Sequence, residues 1–155
     1  MEEFELDSLQ LEPIFTEVIE SRRELVDGLV GRLMDVVQSM PCAQEHLDAV
    51  RLALYEALAN AIIHGNREHP EKKVKVSVAC ADQENLLIAV TDEGEGFDPA
   101  TIPDPTLAEN IYSSGGRGLF LMNCLMDQAE FRMGGRQVVL RKRVRPPAPE
   151  APNSG

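Results

Sequence analysis

Apolar residues recur at steps of three and four in a long stretch near the start of the chain. That spacing places them on one face of a helix. It predicts an amphipathic helix over "PIFTEVIESRRELVDGLVGRLMDVV" (residues 13–37), with Pro13 in its first turn and Pro41 just beyond its end. A second helix is predicted from about Gln44 to His64, with Gly65-Asn66 as its C-cap.

Alternating and continuous apolar runs predict strands in the rest of the chain. "KVKVSVA" carries Val74, Val76 and Val78 on one face, and "NLLIAVTD" is apolar throughout its middle, as a central strand would be. The turn "DQEN" joins these strands as a hairpin. "AEFRM" and "QVVLRKRV" form a second hairpin around Gly134-Gly135, and "LFLMNCLM" predicts an apolar helix.

Strands in one layer and helices in the other predict an α+β fold, a two-layer α/β sandwich. An imperfect alternation in "FELDSLQL" (residues 4–11) adds an opening strand. The length predicts a single domain over residues 1–144, and the Pro-rich, polar residues 145–155 are predicted to be disordered. Residues 97–114 carry three prolines and lie between glycines. A loop this long inside a domain is usually a functional lid or disordered.

Charge and composition exclude several classes of function. A formal net charge of −11 argues against nonspecific binding of nucleic acid or of an anionic membrane surface. The acidity could engage a basic protein partner or simply maintain solubility. No run approaches the ~18 apolar residues of a membrane span, and "MEEFELDSLQ" lacks the pattern of a signal peptide. Cys42, Cys80 and Cys124 show no metal-ligand spacing. We therefore expect a cytoplasmic protein with free thiols.

A glutamate and an asparagine interrupt the apolar helix "LALYEALANAIIHGN". Glu56 and Asn60 are four residues apart, so they project from the same helix face among small or apolar neighbours. Glu56 could act as a general base with a pKa raised by its dry setting. Asn60 offers a neutral amide oxygen to a Mg²⁺ shell made largely of phosphate oxygens and waters. The alternative is a helix edge at the surface, with both side chains solvated.

The second candidate site is "TDEGEGFD", at the end of the most buried predicted strand. Asp92 could accept a hydrogen bond from an exocyclic amine such as that of adenine. Gly94 and Gly96 permit backbone conformations closed to other residues and let a ligand come close. An EF-hand reading fails because Gly94 occupies a ligand position. The alternative is an acidic turn between strand and loop.

The third candidate site is "SGGRGLFLMNCLMD", where Gly115, Gly116 and Gly118 precede an apolar helix. Such a turn offers backbone N–H groups and the positive end of a helix dipole to an anion. It is not a Walker A loop, since no Lys-Ser/Thr pair follows, and it lacks the Rossmann glycine spacing. Arg117 either contacts phosphate or points into water.

In this order the three motifs resemble the GHKL ATPase/kinase superfamily: Glu-x-x-x-Asn on a helix, Asp-x-Gly-x-Gly, then Gly-x-Gly before a helix. "EALANAIIHGN", "VTDEGEGFDP" and "GGRGLFLMNCLMD" are most similar to the bacterial anti-sigma factor serine kinases. The resemblance covers roughly residues 5 to 143. It implies the Bergerat ATP-binding fold, with a mixed, largely antiparallel sheet and an ATP lid.

The resemblance also implies roles for the motif residues. Glu56 would activate the attacking hydroxyl, Asn60 would bind Mg²⁺ and Asp92 would accept the adenine amino group. Gly94 and Gly96 would form the adenine-side turn. Gly116 and Gly118 would form the lid hinge. Gly115 and Arg117 would bind the nucleotide together with them. Family members often carry a Thr on the last strand. Here Gln137, in "GGRQVVL", stands in the corresponding stretch and could supply a hydrogen bond instead.

The implied activity is transfer of the γ-phosphoryl group of ATP, with Mg²⁺, to a serine of an anti-anti-sigma (STAS-type) partner. A sigma factor is a further implied partner, and a homodimer is implied by the resemblance alone. Two alternatives stay open. One is a catalytically weak ATP-binding module that regulates a non-sigma partner by docking. The other is a detached histidine-kinase ATPase domain, whose phosphoproduct would be acid-labile.

Overall fold

Antiparallel strands form one sheet in the computed structural model, which describes residues 13–40, 46–81, 85–96 and 121–143. The strand order is β1-β2-β3-β5-β4, which puts β3 at the centre, as its continuous apolar run predicted. The strands are β1 Phe15–Glu20, β2 Lys73–Ala81, β3 Asn85–Asp92, β4 Gln128–Arg132 and β5 Gln137–Arg143. Both predicted hairpin pairings, β2 with β3 and β4 with β5, are confirmed.

The helices cover one face of this sheet. Helix α1 spans Val26–Ser39 after a short 3₁₀ turn at Arg23–Leu25. Helix α2 spans Leu47–Ala59 and continues into a π-helical turn at Asn60–Gly65. Residues 121–125 form a short helix, α3. The predicted two-layer α+β arrangement is therefore confirmed.

Alternation along the strands decides which side chains meet the helices. The main core joins the inward residues of the sheet to the buried stripes of α1 and α2. It includes from β2 Val74, Val76 and Val78, from β3 Leu86, Ile88 and Val90, and from β5 Val138 and Leu140. Odd-numbered residues of the same strands form a smaller cluster on the opposite, outer face: Ala79, Leu87, Ala89 and Val139. The alternation predicted for Val74, Val76 and Val78 is thus confirmed.

The first part of the predicted N-terminal helix is a strand. Residues Phe15–Glu20 pair with β2 in antiparallel register, from Phe15 opposite Val78 to Glu20 opposite Lys73. Phe15 and Ile19 face the core. They are four residues apart, and that spacing puts two side chains on one side of a helix and equally on one side of a strand. The helix prediction was therefore wrong before Arg23, and only residues 26–37 of it are in α1.

The end of α2 departs from a glycine C-cap. Asn66 is the capping residue, but the left-handed backbone falls on Arg67 (φ 52°) and Glu68 (φ 58°). The Glu68 N–H donates to the carbonyl of Ile62 at 2.7 Å, closing the widened last turn. The chain therefore reverses after the helix at residues for which this conformation is strained.

Several sequence predictions concern residues outside the described ranges. These are the strand at residues 4–11, the hairpin turn at residues 82–84, the loop at residues 97–114 and the tail at residues 145–155. Within the described residues, no helix is both long and apolar enough to span a membrane.

Replacing Arg67 by glycine is expected to raise the free energy of unfolding by roughly 0.5 kcal/mol. Left-handed backbone costs a non-glycine residue about 1–2 kcal/mol, and the added chain entropy of glycine offsets roughly 0.5–1 kcal/mol of that gain. Urea denaturation measures the change. Glu71→Gly is the control, because Glu71 is exposed and lacks a positive φ. It should lower stability, and a gain of equal size in both variants would contradict the explanation.

Candidate nucleotide-binding site

The paired residues of α2 lie at the border between core and solvent. The buried stripe of α2 includes Ala53 and Ala57, which flank Glu56 on the helix. Glu56 and Asn60 are themselves half-buried. The two side chains are therefore neither sealed in the core nor fully solvated, which is the setting that a pocket wall would give them.

The π-helical turn carries this helix towards the sheet. Asn60 begins the turn, and the Asn66 N–H donates to the carbonyl of Ala61 at 2.8 Å, five residues earlier. Turns of this width inside α-helices occur frequently at functional sites. Here the turn ends at Gly65, which touches the end of β3. One continuous helical segment thus runs from Glu56 to the carboxylate of Asp92.

Gly65 packs directly against Asp92. A Cβ atom at Gly65 would fall inside van der Waals contact of the Asp92 carboxylate. A Cβ at Gly94 would collide in the same way with the carbonyl oxygen of Gly65. Oδ1 of Asp92 also accepts a hydrogen bond of 2.8 Å from the Gly94 N–H. Helix end, strand end and glycine turn therefore meet at a single carboxylate.

Burial raises the pKa of Asp92 to about 6. Removal of water from the carboxylate is the largest cause. The hydrogen bond from Gly94 and the positive charges of Arg136 and Lys72 act in the opposite direction and lower the pKa. At neutral pH the group is ionised but under-solvated. A ligand N–H group bound to the carboxylate would replace part of the missing hydration.

The glycines of "DEGEG" bring parts of the protein together. The Cβ position of Gly94 points at Gly65, and that of Gly96 points at the carbonyl of Gly134 in the turn between β4 and β5. Gly96 also has a φ of 78°, a conformation open to glycine. The predicted backbone conformation closed to other residues is confirmed at Gly96 but not at Gly94, which has no positive φ. The close approach of a ligand to these glycines stays a prediction. At these Cβ positions the close neighbour is the chain itself.

Gln137 does not join this group. It is opposite Thr91 in the register of β3 and β5 and donates from Nε2 to the Thr91 hydroxyl at 3.0 Å. Since Val138 and Val90 face the helices, Gln137 and Thr91 must lie on the outer face. Asp92 follows Thr91 and faces the helices. The Gln137 amide therefore lies on the opposite face of the sheet from Asp92, and its hydrogen bond to a nucleotide stays a prediction.

Two residues of the site, Gly65 and Asn66, were predicted from the sequence only as the C-cap of the helix. Gly65 contacts Asp92, and Asn66 accepts the backbone N–H of Glu93 at 2.8 Å. The feature of the sequence that could have indicated their role is the pair Gly-Asn directly after the helix that carries Glu56 and Asn60. The predicted residues Gly115, Gly116, Arg117 and Gly118 lie outside the described ranges.

Comparison with known proteins gives a consistent result. A family model described as "Histidine kinase-like ATPase domain" matches residues 19–142. The chain is similar to the "Anti-sigma F factor" of Heyndrickxia coagulans, with 32% identity over 65% of this chain and 70% of that protein. It is also similar to the "Anti-sigma F factor" of Clostridium acetobutylicum, with 35% identity over 64% of this chain and 71% of that protein.

A third relative is the "Serine-protein kinase RsbW" of Bacillus subtilis (strain 168), with 30% identity over 62% of this chain and 63% of that protein. The match therefore leaves about a third of each relative outside the compared region. All five residues Glu56, Asn60, Gly65, Asp92 and Gly94 lie within the stretch matched by the family model.

Gly65→Ala is expected to displace the Asp92 carboxylate and to lower the free energy of unfolding by about 1–3 kcal/mol, because the new methyl group has no space. Urea denaturation gives the stability, and carboxyl ¹³C NMR gives the titration of Asp92. Gly31→Ala is the matched control, since nothing lies within 4 Å of its Cβ position in α1. The control should gain about 0.5–1 kcal/mol from helix propensity. An unchanged Asp92 titration in Gly65→Ala would contradict the contact.

Proposed function

Because the chain belongs to the histidine kinase-like ATPase family, we propose that it is an ATP-dependent protein-serine kinase that acts as an anti-sigma regulator. The printed names of its relatives, anti-sigma factor and serine-protein kinase, support this proposal. We further propose that its substrate is a serine of an anti-anti-sigma partner. A sigma factor and a second copy of the chain are proposed as its other partners.

The observation that carries the proposal is the carboxylate at the meeting point of Gly65, Asp92 and Gly94. Asp92 is held by the Gly94 N–H and is short of water. Such a group gains from a fixed donor, because an unsatisfied buried charge is costly. The amino group of adenine is a donor of this kind, whereas guanine has a carbonyl oxygen at that position. We therefore propose that Asp92 selects the base.

Asn60 and Glu56 extend from this point along the helix, where the polyphosphate of a bound ATP would run. We propose that the Asn60 amide oxygen contributes to a Mg²⁺ shell otherwise made of phosphate oxygens and waters, as is usual for this ion. When bound, the ion would neutralise charge that develops on the phosphates. The residues proposed to hold the phosphates are those of the glycine-rich segment, namely Gly115, Gly116, Arg117 and Gly118.

The reaction needs one base. The serine oxygen of the partner attacks the γ-phosphorus, a new P–O bond forms, and the bond to the β-phosphate oxygen breaks to release ADP. The serine proton passes to the carboxylate of Glu56. Positioning and electrostatic stabilisation supply most of the acceleration in such transfers. Glu56 is half-buried, so its carboxylate is still open to a substrate hydroxyl.

Phosphorylation would then release the partner. A phosphoserine carries roughly −1.5 to −2 charges, and this chain has a formal net charge of −11. Like-charge repulsion and desolvation would therefore oppose renewed docking of the phosphorylated partner. The unphosphorylated form would stay bound, which gives the exchange of partners that an anti-sigma regulator requires.

Glu56→Gln is expected to lower the rate of serine phosphorylation at least ~100-fold, because it removes the proton acceptor while keeping shape and helix propensity. Transfer of ³²P from ATP to a small anti-anti-sigma domain measures the rate. Asp48→Asn is the control on the same helix, since Asp48 is exposed in the first turn. The control should phosphorylate at the normal rate. A normal rate in Glu56→Gln would exclude Glu56 as the base.

Asp92→Asn is expected to bind ATP at least ~10-fold more weakly while making the free protein more stable at pH 8. The folded-state pKa of about 6 exceeds the ordinary value of 3.8, so the native state binds the proton more tightly and loses stability as pH rises to about 6. The gain from Asp92→Asn should be about 1 kcal/mol at pH 8, after allowance for solvent screening.

That gain should shrink as the pH is lowered towards 4, where wild-type Asp92 is protonated in the folded state. Urea denaturation at pH 4, 6 and 8 measures the stability, and calorimetric titration with ATP measures affinity at each pH. Asp35→Asn, at an exposed position of α1, should show neither effect. A stability gain from Asp92→Asn that stays constant over this range would contradict the burial of a charged carboxylate.

A further inference from the structure

The side-chain amide of Asn66 is buried, and both its nitrogen and its oxygen are hydrogen-bonded. The residue is 1% exposed. Its Nδ2 donates to the Ser21 hydroxyl at 2.6 Å and to the Lys73 carbonyl at 2.9 Å, and its Oδ1 accepts the Glu93 N–H at 2.8 Å. A buried amide with these partners is expensive to replace, because each lost bond leaves a desolvated polar group.

These bonds join separate segments of the chain. Ser21 follows β1 and is 2% exposed. Its hydroxyl donates to the carbonyl of Lys72 at 2.8 Å, just before β2. Asn66 ends the helical segment that carries Glu56, and Glu93 follows β3. The amide thus fixes the end of the helix relative to three sheet strands.

Glu93 lies between Asp92 and Gly94, while Gly65 directly precedes Asn66. The bond from the Glu93 N–H to Asn66 Oδ1 therefore spans the same gap as the contact of Gly65 with the Asp92 carboxylate. We propose that Asn66 is a positioning residue that holds the Asp92 carboxylate against Gly65 and thereby sets the preference for an adenine base. This inference rests on the proposed function in so far as the site binds a nucleotide.

The chemistry of asparagine suits this place. It combines an acceptor for Glu93 with two donors for carbonyl and hydroxyl oxygens on the other side. Aspartate would keep the acceptor but place a charge against the Lys73 carbonyl. Alanine would leave the Glu93 N–H without its partner, so the turn between Asp92 and Gly94 would no longer be held to the helix.

The test compares Asn66→Ala with Ser21→Ala. Ser21→Ala removes two hydrogen bonds of the cluster. It leaves the bond that Asn66 accepts from the Glu93 N–H and the bond that Asn66 donates to the Lys73 carbonyl. Both variants are expected to lose stability. Only Asn66→Ala should release the turn after Asp92 from the end of the helix, because it removes the acceptor of the Glu93 N–H. Three properties are measured in each variant: affinity for ATP, affinity for GTP, and the titration of Asp92 by carboxyl ¹³C NMR.

For Asn66→Ala we expect ATP affinity to fall at least ~10-fold, the ratio of ATP to GTP affinity to fall with it, and Asp92 to titrate closer to its ordinary range. For Ser21→Ala we expect ATP affinity within about twofold of the wild type and an unchanged Asp92 titration. Equal ATP affinities and equal Asp92 titrations in the two variants would overturn the inference.

Two further readouts keep the outcomes separate. Should Asn66→Ala not fold, amide hydrogen exchange in the wild type tests whether Asn66 holds the turn after Asp92. The Glu93 amide should be as protected as the core of β3 before any nucleotide is added, and fast exchange there would overturn the inference. Should the wild type bind neither ATP nor GTP, the proposed function fails, while the Asp92 titration in Asn66→Ala still tests the positioning role.

Discussion

The contact between Gly65 and the Asp92 carboxylate governs the geometry of the site. It brings the end of a helix to the end of the central strand at a distance that no side chain larger than hydrogen would allow. Gly94 then packs on the Gly65 carbonyl, and the Gly94 N–H binds Oδ1 of Asp92. The same closeness excludes water from the carboxylate, so steric fit and the raised pKa of Asp92 have one cause.

The rest of the fold supports this contact through ordinary packing. Alternating valines attach the sheet to α1 and α2, and the hairpins fix the register of β3 between its neighbours. The buried amide of Asn66 then joins the helix end to the turn after Asp92. A rigid apolar frame with one desolvated acid at its edge is what selective recognition of a hydrogen-bond donor requires.

The sequence predicted the fold class, the hairpins and the central strand because hydrophobic periodicity reports burial directly. It placed β1 in a helix because the four-residue spacing of Phe15 and Ile19 fits both structures. Gln137 lies on the outer face of the sheet because of the register of β3 and β5, and a comparison of motifs does not predict strand register. The role of Gly65 depends on a tertiary contact with Asp92 at the end of β3, whereas a glycine after a predicted helix indicates only that the helix stops.

The π-helical turn at Asn60–Gly65 has a consequence for the evolution of the chain. Compared with an α-helix it contains one surplus residue, and that residue sets the rotation of Gly65 about the helix axis relative to Asn60. Deleting one of the four residues 61–64 would rotate Gly65 by about 100° about the helix axis, although Glu56, Asn60, Gly65 and Asp92 would all still be present. Insertions and deletions in this short stretch are therefore more disruptive than most substitutions, because the number of residues between Asn60 and Gly65 sets the alignment of the two halves of the site.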